Sequence, residues 1–575
     1  MPQDRPAMRS IRCNVLLVSP RFAGRSFWNL TATCEALGAK TAAPPLGLIT
    51  VAAMLPKSWE CRLVNRNAEE LVDADLQWAD MVMTGGMIPQ RPDALAVIEL
   101  AQARGKPVVV GGPDVTSAPE AYAQADFQVL GEAEGVIEAF IEAWSAGSLK
   151  GVFEAEKFKI DVTKTPIPRY DLLKRSQYLY YGVQFARGCP FTCEFCDIIE
   201  LYGRAPRAKT VEQILAELDT LYRLGYRGFL DFVDDNFIGN KKAVKNLLPH
   251  LIAWQKEHGY PFEFSTEASI NLADDDALLA LMREANFLNI FVGIESPDPE
   301  TLVSTQKKQN TRRVLDDSVR KIYRAGIFVH AGFIVGFDSE KDGVAAGMTD
   351  FIEAAAIPVC MVGLLFALPH TQLGRRLEKE GRMLPQSYVE QLAELGAGDQ
   401  CTAGLNFHTA RPRREILLDF KKVLQGVYDL DAYYSRVRTV ARTLNRPKLD
   451  RSRSTQFLQR TLGTSLHDLS LAFRILWRVA RRQPEALGHV CRAVFETAKH
   501  NREALPCVFT MAAFYLHLGP FSRYVVSLLD QRIAAISDDG PGIEQLSTSP
   551  VRMPGTSADP GARSSSLRAV ATLAA

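Results

Sequence analysis

Three cysteines, Cys189, Cys193 and Cys196, stand on one short stretch, Arg187-Gly188-Cys189-Pro190-Phe191-Thr192-Cys193-Glu194-Phe195-Cys196-Asp197. This spacing forces a tight loop wherever the three sulfurs act together. Three thiolates can hold three irons of a four-iron cluster, and no fourth cysteine follows nearby. Electron-transfer clusters ordinarily take four cysteines, so an iron left without a protein ligand points to chemistry at the cluster rather than electron storage. Two plainer readings stand beside this one on spacing alone. A structural zinc site with a distant fourth ligand would favour paired C-x-x-C ligands, and free cysteines also bury readily in a core.

A chain of 575 residues is too long for one ordinary core and calls for several domains. A net charge of +1 gives no whole-molecule attraction to nucleic acid or membranes. The other cysteines (Cys13, Cys34, Cys61, Cys360, Cys401, Cys491, Cys507) are scattered and do not read as a disulfide framework. A reducing, cytoplasmic setting fits them, as it would a cluster. The start, Met1-Pro2-Gln3-Asp4-Arg5, leads into a short strand rather than an apolar leader, so no signal peptide is expected. No run of about twenty uncharged apolar residues occurs, so a spanning helix is not expected.

Along residues 1–150, short apolar runs alternate with helical stretches. Val15-Leu16-Leu17-Val18 and Arg62-Leu63-Val64 read as strands, Met81-Val82-Met83 ends at Gly85-Gly86, and Pro107-Val108-Val109-Val110 ends at Gly111-Gly112-Pro113. Phe127 to Leu130 ends at Gly131-Glu132. Strand, glycine turn and helix in succession predict an open parallel α/β sheet, which binds ligands at the carboxyl ends of its strands. Residues 151–180 read as a connector, with Thr165-Pro166-Ile167-Pro168 disfavouring helix. Residues 181–380 repeat strand and helix six times, with strands beginning near Val183, Phe229, Phe262, Asn289, Phe328 and Cys360. Six units suit a partial (β/α)6 barrel. Residues 381–536 read as a mainly helical domain, and 537–575, rich in Gly, Pro, Ser and Thr, as a disordered tail.

The cysteine spacing, with aromatic Phe195 before the last cysteine, resembles the radical S-adenosylmethionine (SAM) superfamily. That resemblance implies a [4Fe-4S] cluster on Cys189, Cys193 and Cys196, with SAM on the open iron and its adenine near Phe195. Reduction would cleave SAM to a deoxyadenosyl radical. Asp234-Asp235-Asn236 then replaces the family's Gly-Gly-Glu as acceptor for the SAM ammonium, an acceptor-rich loop being what an ammonium needs. A helix cap is the plainer reading. Ser265 and Glu267 end the third strand and Glu295 the fourth, where they could bind ribose hydroxyls or help position substrate; a surface turn is the plainer reading of each. Gly332, Ile334 and Gly336 resemble the family's G-x-I-x-G stretch near adenine, with Ser339 where a later Glu is usual and Glu340 beside it. Arg204 to Lys209, a basic run, reads as a solvated face or a partner for the SAM carboxylate.

The first domain resembles the cobalamin-binding domain that precedes some radical SAM barrels, with Gly85, Gly86, Gly111, Gly112 and Pro113 as the contacts. The Asp-x-His-x-x-Gly motif is missing and no histidine precedes His250, so no histidine of this domain can ligate cobalt from below. Leu368-Pro369-His370-Thr371-Gln372-Leu373 and Tyr428-Asp429-Leu430-Asp431-Ala432-Tyr433-Tyr434 resemble the cobalamin-type subgroup with an extra uncharacterised C-terminal domain. This subgroup includes hopanoid C-2 methylases, with chlorophyll-precursor methylases and cyclases more distant. The expected activity is a cobalamin-dependent radical SAM C-methyltransferase acting on an unactivated carbon, in an apolar lipid such as a hopanoid. One alternative is radical oxidation, cyclisation or rearrangement of a tetrapyrrole or lipid without methyl transfer. Another, from a different class, is a non-catalytic SAM or redox sensor. The expected partners are a small-molecule or lipid substrate and an electron donor such as ferredoxin or flavodoxin, with no nucleic acid. Leu469, Leu471, Phe473, Ile475, Leu476, Trp477 and Val479 interleave with Arg474, Arg478, Arg481 and Arg482. That pattern reads as ordinary helix packing or as peripheral contact at the inner membrane surface. A second apolar segment, Val508 to Leu518, is too short to span a bilayer.

Overall fold

Val15, Leu16, Leu17 and Val18 have no solvent exposure at all, because a strand of a parallel sheet is covered on both faces. Val15 and Leu17 belong to the main core, while Leu16 and Val18 belong to a separate one with Val82, Ile98, Val108 and Val110. The computed structural model describes residues 12–22, 24–394, 401–445 and 457–536; the expected disordered tail lies outside them. The first sheet comprises β1 (Asn14–Ser19), β2 (Glu60–Asn65), β3 (Met81–Thr84), β4 (Val108–Gly111), β5 (Phe127–Leu130) and β6 (Gly151–Glu154). They pair in parallel in the order β2-β1-β3-β4-β5-β6. The chain runs outward one way to β2 and the other way to β3, so the order reverses at β1, the place where such sheets open a crevice. Strand β6 corrects the expectation of a connector starting at residue 151. It is an edge strand with Val152 65% exposed, so it lacks the apolar run that marks its neighbours.

The second sheet contains β7 (Tyr181–Val183), then, after the short strands β8 (Ala186–Arg187) and β9 (Arg207–Ala208), β10 (Gly228–Phe232), β11 (Phe262–Glu267), β12 (Phe287–Glu295), β13 (Phe328–Val335) and β14 (Cys360–Leu364). Its order is β14-β13-β12-β11-β10-β7, all parallel, with no pairing of β7 to β14. This is the open six-strand barrel that the sixfold repeat predicts. Leu230, Phe232, Phe264, Ile290, Val292, Val329 and Ala331 are fully buried on the outer face, under the helices. Those helices start at side-chain caps: Thr210 accepts from Gln213 N, Asp275 from Leu278 N, and Thr371 from Gly374 N.

Register sets the inner face. Asp231 stands opposite Ser265, which stands opposite Asn289; Glu267 stands opposite Phe291, which stands opposite His330. Rings from outside the barrel reach this face. Trp28 lies 6.3 Å from Phe291 and Phe514 lies 5.5 Å from His330, centroid to centroid.

The C-terminal helices are tied to both other parts. Tyr428 OH donates to Cys360 O on β14 at 2.5 Å, Tyr515 OH to Tyr428 O at 2.9 Å, and Tyr433 OH to Met511 O at 2.9 Å. The aromatic motif at 428–434 is thus a core knot. Thr33 Oγ1 donates to Ala513 O at 2.9 Å, and His517 Nε2 lies 3.0 Å from Ser26 O, joining the helix Leu505–Ala534 to the N-terminal part. That helix extends well past the Val508–Leu518 segment. With the turn before it, Arg502–Ala534 is, among the described residues, long and apolar enough to cross a membrane, yet 67% of the window is buried inside the protein. It reads as a core helix.

Candidate active site at the mouth of the barrel

The cysteine loop leaves β8 and returns through β9, which pairs antiparallel with it. Gly188 takes φ +95°, and a Cβ there would sit 2.8 Å from Gly203 O, so glycine is required where the loop folds on itself. Cys193 is buried and its two companions half-buried. Burial and the neighbouring sulfur of Cys193 push the Cys189 thiol up. Burial, Asp197 and the sulfurs of Cys193 and Cys189 do the same to Cys196. The three sulfurs therefore face one space. Among the described residues no group of three metal-ligating side chains converges on a single-ion position. A four-iron cluster asks for something else, three thiolates on three separate irons.

Donors surround these sulfurs. Asn236 Nδ2 lies 3.7 Å from Cys189 Sγ and Gln309 Nε2 lies 3.5 Å from Cys193 Sγ. Lys307 is buried, with Nζ 2.6 Å from Glu295 Oε1 and 5.8 Å from the Phe195 ring centre. Burial lowers its ammonium pKa, but Glu295 and the sulfurs of Cys193 and Cys196 outweigh burial and hold it above the ordinary value. Amide donors on two of the sulfurs and a buried cation nearby suit thiolates bound to metal.

The other predicted contacts divide. Asp234 differs from its expected role as an acceptor for an ammonium: its two oxygens accept from Phe185 N (2.7 Å) and Ala186 N (2.8 Å), bracing the chain into the cysteine loop. Asp235 Oδ2 accepts from Gly188 N at 3.4 Å, and burial pushes its carboxyl up to about 6. Asn236 Oδ1 accepts from Ser269. Ser265 Oγ donates to Asp231. Glu267 stands bare to interior space, and burial together with Asp231, Asp235 and Glu295 pushes it up to about 8. Glu295 takes φ +64°, a strained conformation of the kind stored at functional sites. A Cβ on Gly332 would meet Phe291 Cζ at 3.0 Å, and Ile334 is half-buried beside the core. Phe195 packs on Phe337 with centroids 5.7 Å apart. Gly336, φ +113°, lets Leu405 approach and donates its N–H to Glu340 Oε2 at 2.9 Å. Ser339 instead faces Ser304, 2.9 Å away.

On the first sheet a Cβ on Gly85 would fall 2.0 Å from Gly111 O, and one on Gly112, φ +99°, 3.5 Å from Gly86 N. The two turns touch backbone to backbone, and the Gln90 side chain lies against Gly86. Pro113 opens a short helix, Pro113–Ser117, that packs on Ile198–Leu201 just after Cys196. At the end of β5, Glu132 and Glu134 take Arg187 at 2.9 and 2.7 Å, and Glu132 takes Arg207 at 2.8 Å. The carboxyl ends of the first sheet are thereby riveted to the cysteine loop. The basic run is a solvated face only at Arg204, which is exposed: Arg207 is in this rivet, and Lys209 is buried against Glu217 at 2.5 Å. Lys307, Gln309, Asp231 and the Glu132–Arg187 seam carried no sequence signal, since each acts across the fold.

An open barrel with three convergent thiols at its mouth is joined to a parallel sheet that ends in two touching glycine turns. Three family models match in that order: a B12 binding domain over 36–141, the radical SAM superfamily over 183–352, and a domain of unknown function, DUF4070, over 371–531. An uncharacterized methyltransferase of Synechocystis sp. is 44% identical over 512 residues, 89% of this chain and 92% of its own. The hopanoid C-2 methylase of Rhodopseudomonas palustris is 42% identical over 345 residues, 59% of this chain and 65% of that protein. The solved structure of the cobalamin-dependent SAM radical enzyme OxsB, with aqua-cobalamin and SAM bound, matches with TM-score 0.54 at 16% identity, over 92% of this chain and 82% of that one. At that identity the likeness is one of fold. The chain belongs to the cobalamin-binding radical SAM methyltransferases that carry the DUF4070 domain. Its cofactors are a [4Fe-4S] cluster, SAM and cobalamin. A radical enzyme without methyl transfer and a passive sensor are not favoured. The residues present fit the cofactors: three sulfurs on one loop, two of them with amide donors, carboxyls beside them, and glycine turns that leave no room for a Cβ at Gly85.

Proposed function

We propose that this methyltransferase acts on an unactivated carbon of an apolar polycyclic lipid of the hopanoid kind. The observation that carries the reading is the inner wall of the barrel. Phe291 and His330, with Trp28 and Phe514 closing on them, form an aromatic floor. Burial pushes His330 down to about 4, so at neutral pH it is an uncharged ring. Such a floor suits a ring system without charge. The similarity to a hopanoid C-2 methylase supports the same class.

When bound, the cluster with SAM supplies hydrogen-atom abstraction and cobalamin supplies the methyl group. The chain's own residues position and shield. Cys189, Cys193 and Cys196 would hold the cluster, with Asn236, Gln309 and Lys307 offsetting its negative charge. Asp235, Asn236, Glu267 and Glu295 would face SAM. With its carboxyl at about 8, Glu267 is protonated at neutral pH and can donate as well as accept. Gly85, Gly86, Gly111 and Gly112 would let a flat macrocycle lie on backbone. Trp28, Phe291 and Phe514 exclude water from a carbon that ordinary nucleophilic methylation does not reach. The cluster needs an external electron, and a ferredoxin or flavodoxin is the proposed donor. Peripheral contact with a membrane, where such a lipid resides, belongs to the same proposal.

Protein reconstituted with iron, sulfide and hydroxocobalamin, and supplied with SAM and a reductant, should convert a hopanoid to a product one methylene heavier, forming deoxyadenosine and S-adenosylhomocysteine together. Deoxyadenosine without S-adenosylhomocysteine would sink methyl transfer. Unchanged lipid masses in a strain lacking the gene would sink the substrate class.

A further inference from the structure

Exposed large apolar side chains are mostly scattered singly on this protein, which needs no explanation. Four are not. Leu469 (67% exposed), Phe473 (71%) and Trp477 (48%) lie on the helix Phe457–Arg482, and Phe495 (71%) on the next helix, Pro484–His500. Leu469, Phe473, Trp477 and Arg481 follow one another at i+4 spacing, so they form a single row along the helix. The Arg481 guanidinium lies 5.4 Å from the Trp477 ring centre. Ile475 and Val479, on the other side, are buried in the core. The row is therefore the face the fold left out. The two helices pack together and turn back at Gln483, from which Phe495 and Leu471 are equally distant along the chain, so Phe495 stands level with the row.

The charge of the surroundings says what covers this face. Between Leu469 and Arg482 stand Arg474, Arg478, Arg481 and Arg482 and no carboxylate. Arg478 and Arg482 share Glu35 of the helix Thr31–Leu37, at 3.0 and 2.8 Å. Arg474 reaches Gly38 at the end of that same helix, which leaves Arg481, beside the Trp477 ring, as the arginine of the row itself. A second copy seated on the same face would set arginines against arginines, which opposes association. An anionic bilayer answers both features, with acyl chains for the rings and phosphates for the guanidinia. We propose that this face docks on the surface of an anionic lipid bilayer, with Leu469, Phe473, Trp477 and Phe495 entering the boundary between headgroups and acyl chains.

The docking helix packs on the helix Thr31–Leu37, which carries Glu35. The purpose of docking rests on the proposed lipid substrate, but vesicle binding involves neither substrate nor turnover, so the two fail separately.

The test is co-sedimentation of the full-length, cobalamin-loaded protein with vesicles of phosphatidylcholine alone or mixed with phosphatidylglycerol. The protein should bind the mixed vesicles at least tenfold more tightly, and salt should weaken that binding. The double variant Phe473→Ser/Trp477→Ser should bind at least tenfold less, with unchanged melting temperature and cobalamin loading. Arg481→Gln should weaken the preference for phosphatidylglycerol. Binding by the double serine variant equal to the parent overturns the proposal, as does equal sedimentation with and without vesicles. A concentration-dependent dimer that the double serine variant abolishes overturns it in favour of a second copy.

Discussion

The two halves of the site are built from different material. The platform at the end of the first sheet is backbone, where Gly85 and Gly111 approach too closely for any side chain. The mouth of the barrel is side chain throughout: three sulfurs, two amides, an ammonium and several carboxyls. A flat cofactor is held by shape, and an intruding atom defeats shape. A charged cluster is held by ligands and stabilised by donors, which can be removed one at a time without filling space. The first half should therefore fail sterically and the second chemically.

The sharpest way to break that contrast is Cys193→Ala. It should abolish SAM cleavage and the cluster's visible absorption while leaving hydroxocobalamin binding intact, both read from spectra of the reconstituted protein. Retained cleavage would remove Cys193 from the cluster. Next comes Gly85→Ala. With its Cβ 2.0 Å from Gly111 O, a turn must move, so cobalamin binding should weaken roughly a hundredfold, about 3 kcal/mol, with iron content unchanged. Tight binding by this variant would show that shape does not hold the macrocycle.

A third test concerns the junction where Glu340 holds Gly336. Burial pushes the Glu340 carboxyl up to about 7 from an ordinary 4.5. Between these values the unfolded chain releases a proton that the folded one keeps. Stability therefore falls as pH rises through the window, by roughly 3 kcal/mol in all. Glu340→Gln should flatten that part of the melting-temperature profile between about pH 5 and pH 8; an unchanged slope would place the titration elsewhere. The smallest expected effect is Gln309→Leu. It removes an N–H from Cys193 Sγ, worth about 1 kcal/mol, and should move the cluster midpoint potential to more negative values in an EPR-monitored titration. No shift would mean that the barrel half is not held by donors as proposed.

How far the sequence could be read differs in the same way. The strands of the first sheet were legible because parallel strands covered on both faces must be continuous apolar runs; Val15 to Val18 is one. The edge strand β6 was not, because Val152 faces solvent and no such run forms. The cysteine loop was legible because its chemistry lies within eleven neighbouring residues. Asp234 was legible as a strand-end acid but not as a brace. Its partners, Phe185 N and Ala186 N, lie 49 and 48 residues away.

By itself, then, the sequence determined the two sheets, their order along the chain, the three sulfurs and the glycine turns, because each follows from local spacing or periodicity. Only the tertiary structure decided what compensates and surrounds them. Gln309 reaches Cys193 across 116 residues, Glu132 and Glu134 rivet Arg187 from another domain, and Trp28 and Phe514 enter the barrel from opposite ends of the chain. Burying charge demands a partner somewhere in space, and that demand leaves no periodic trace along the chain.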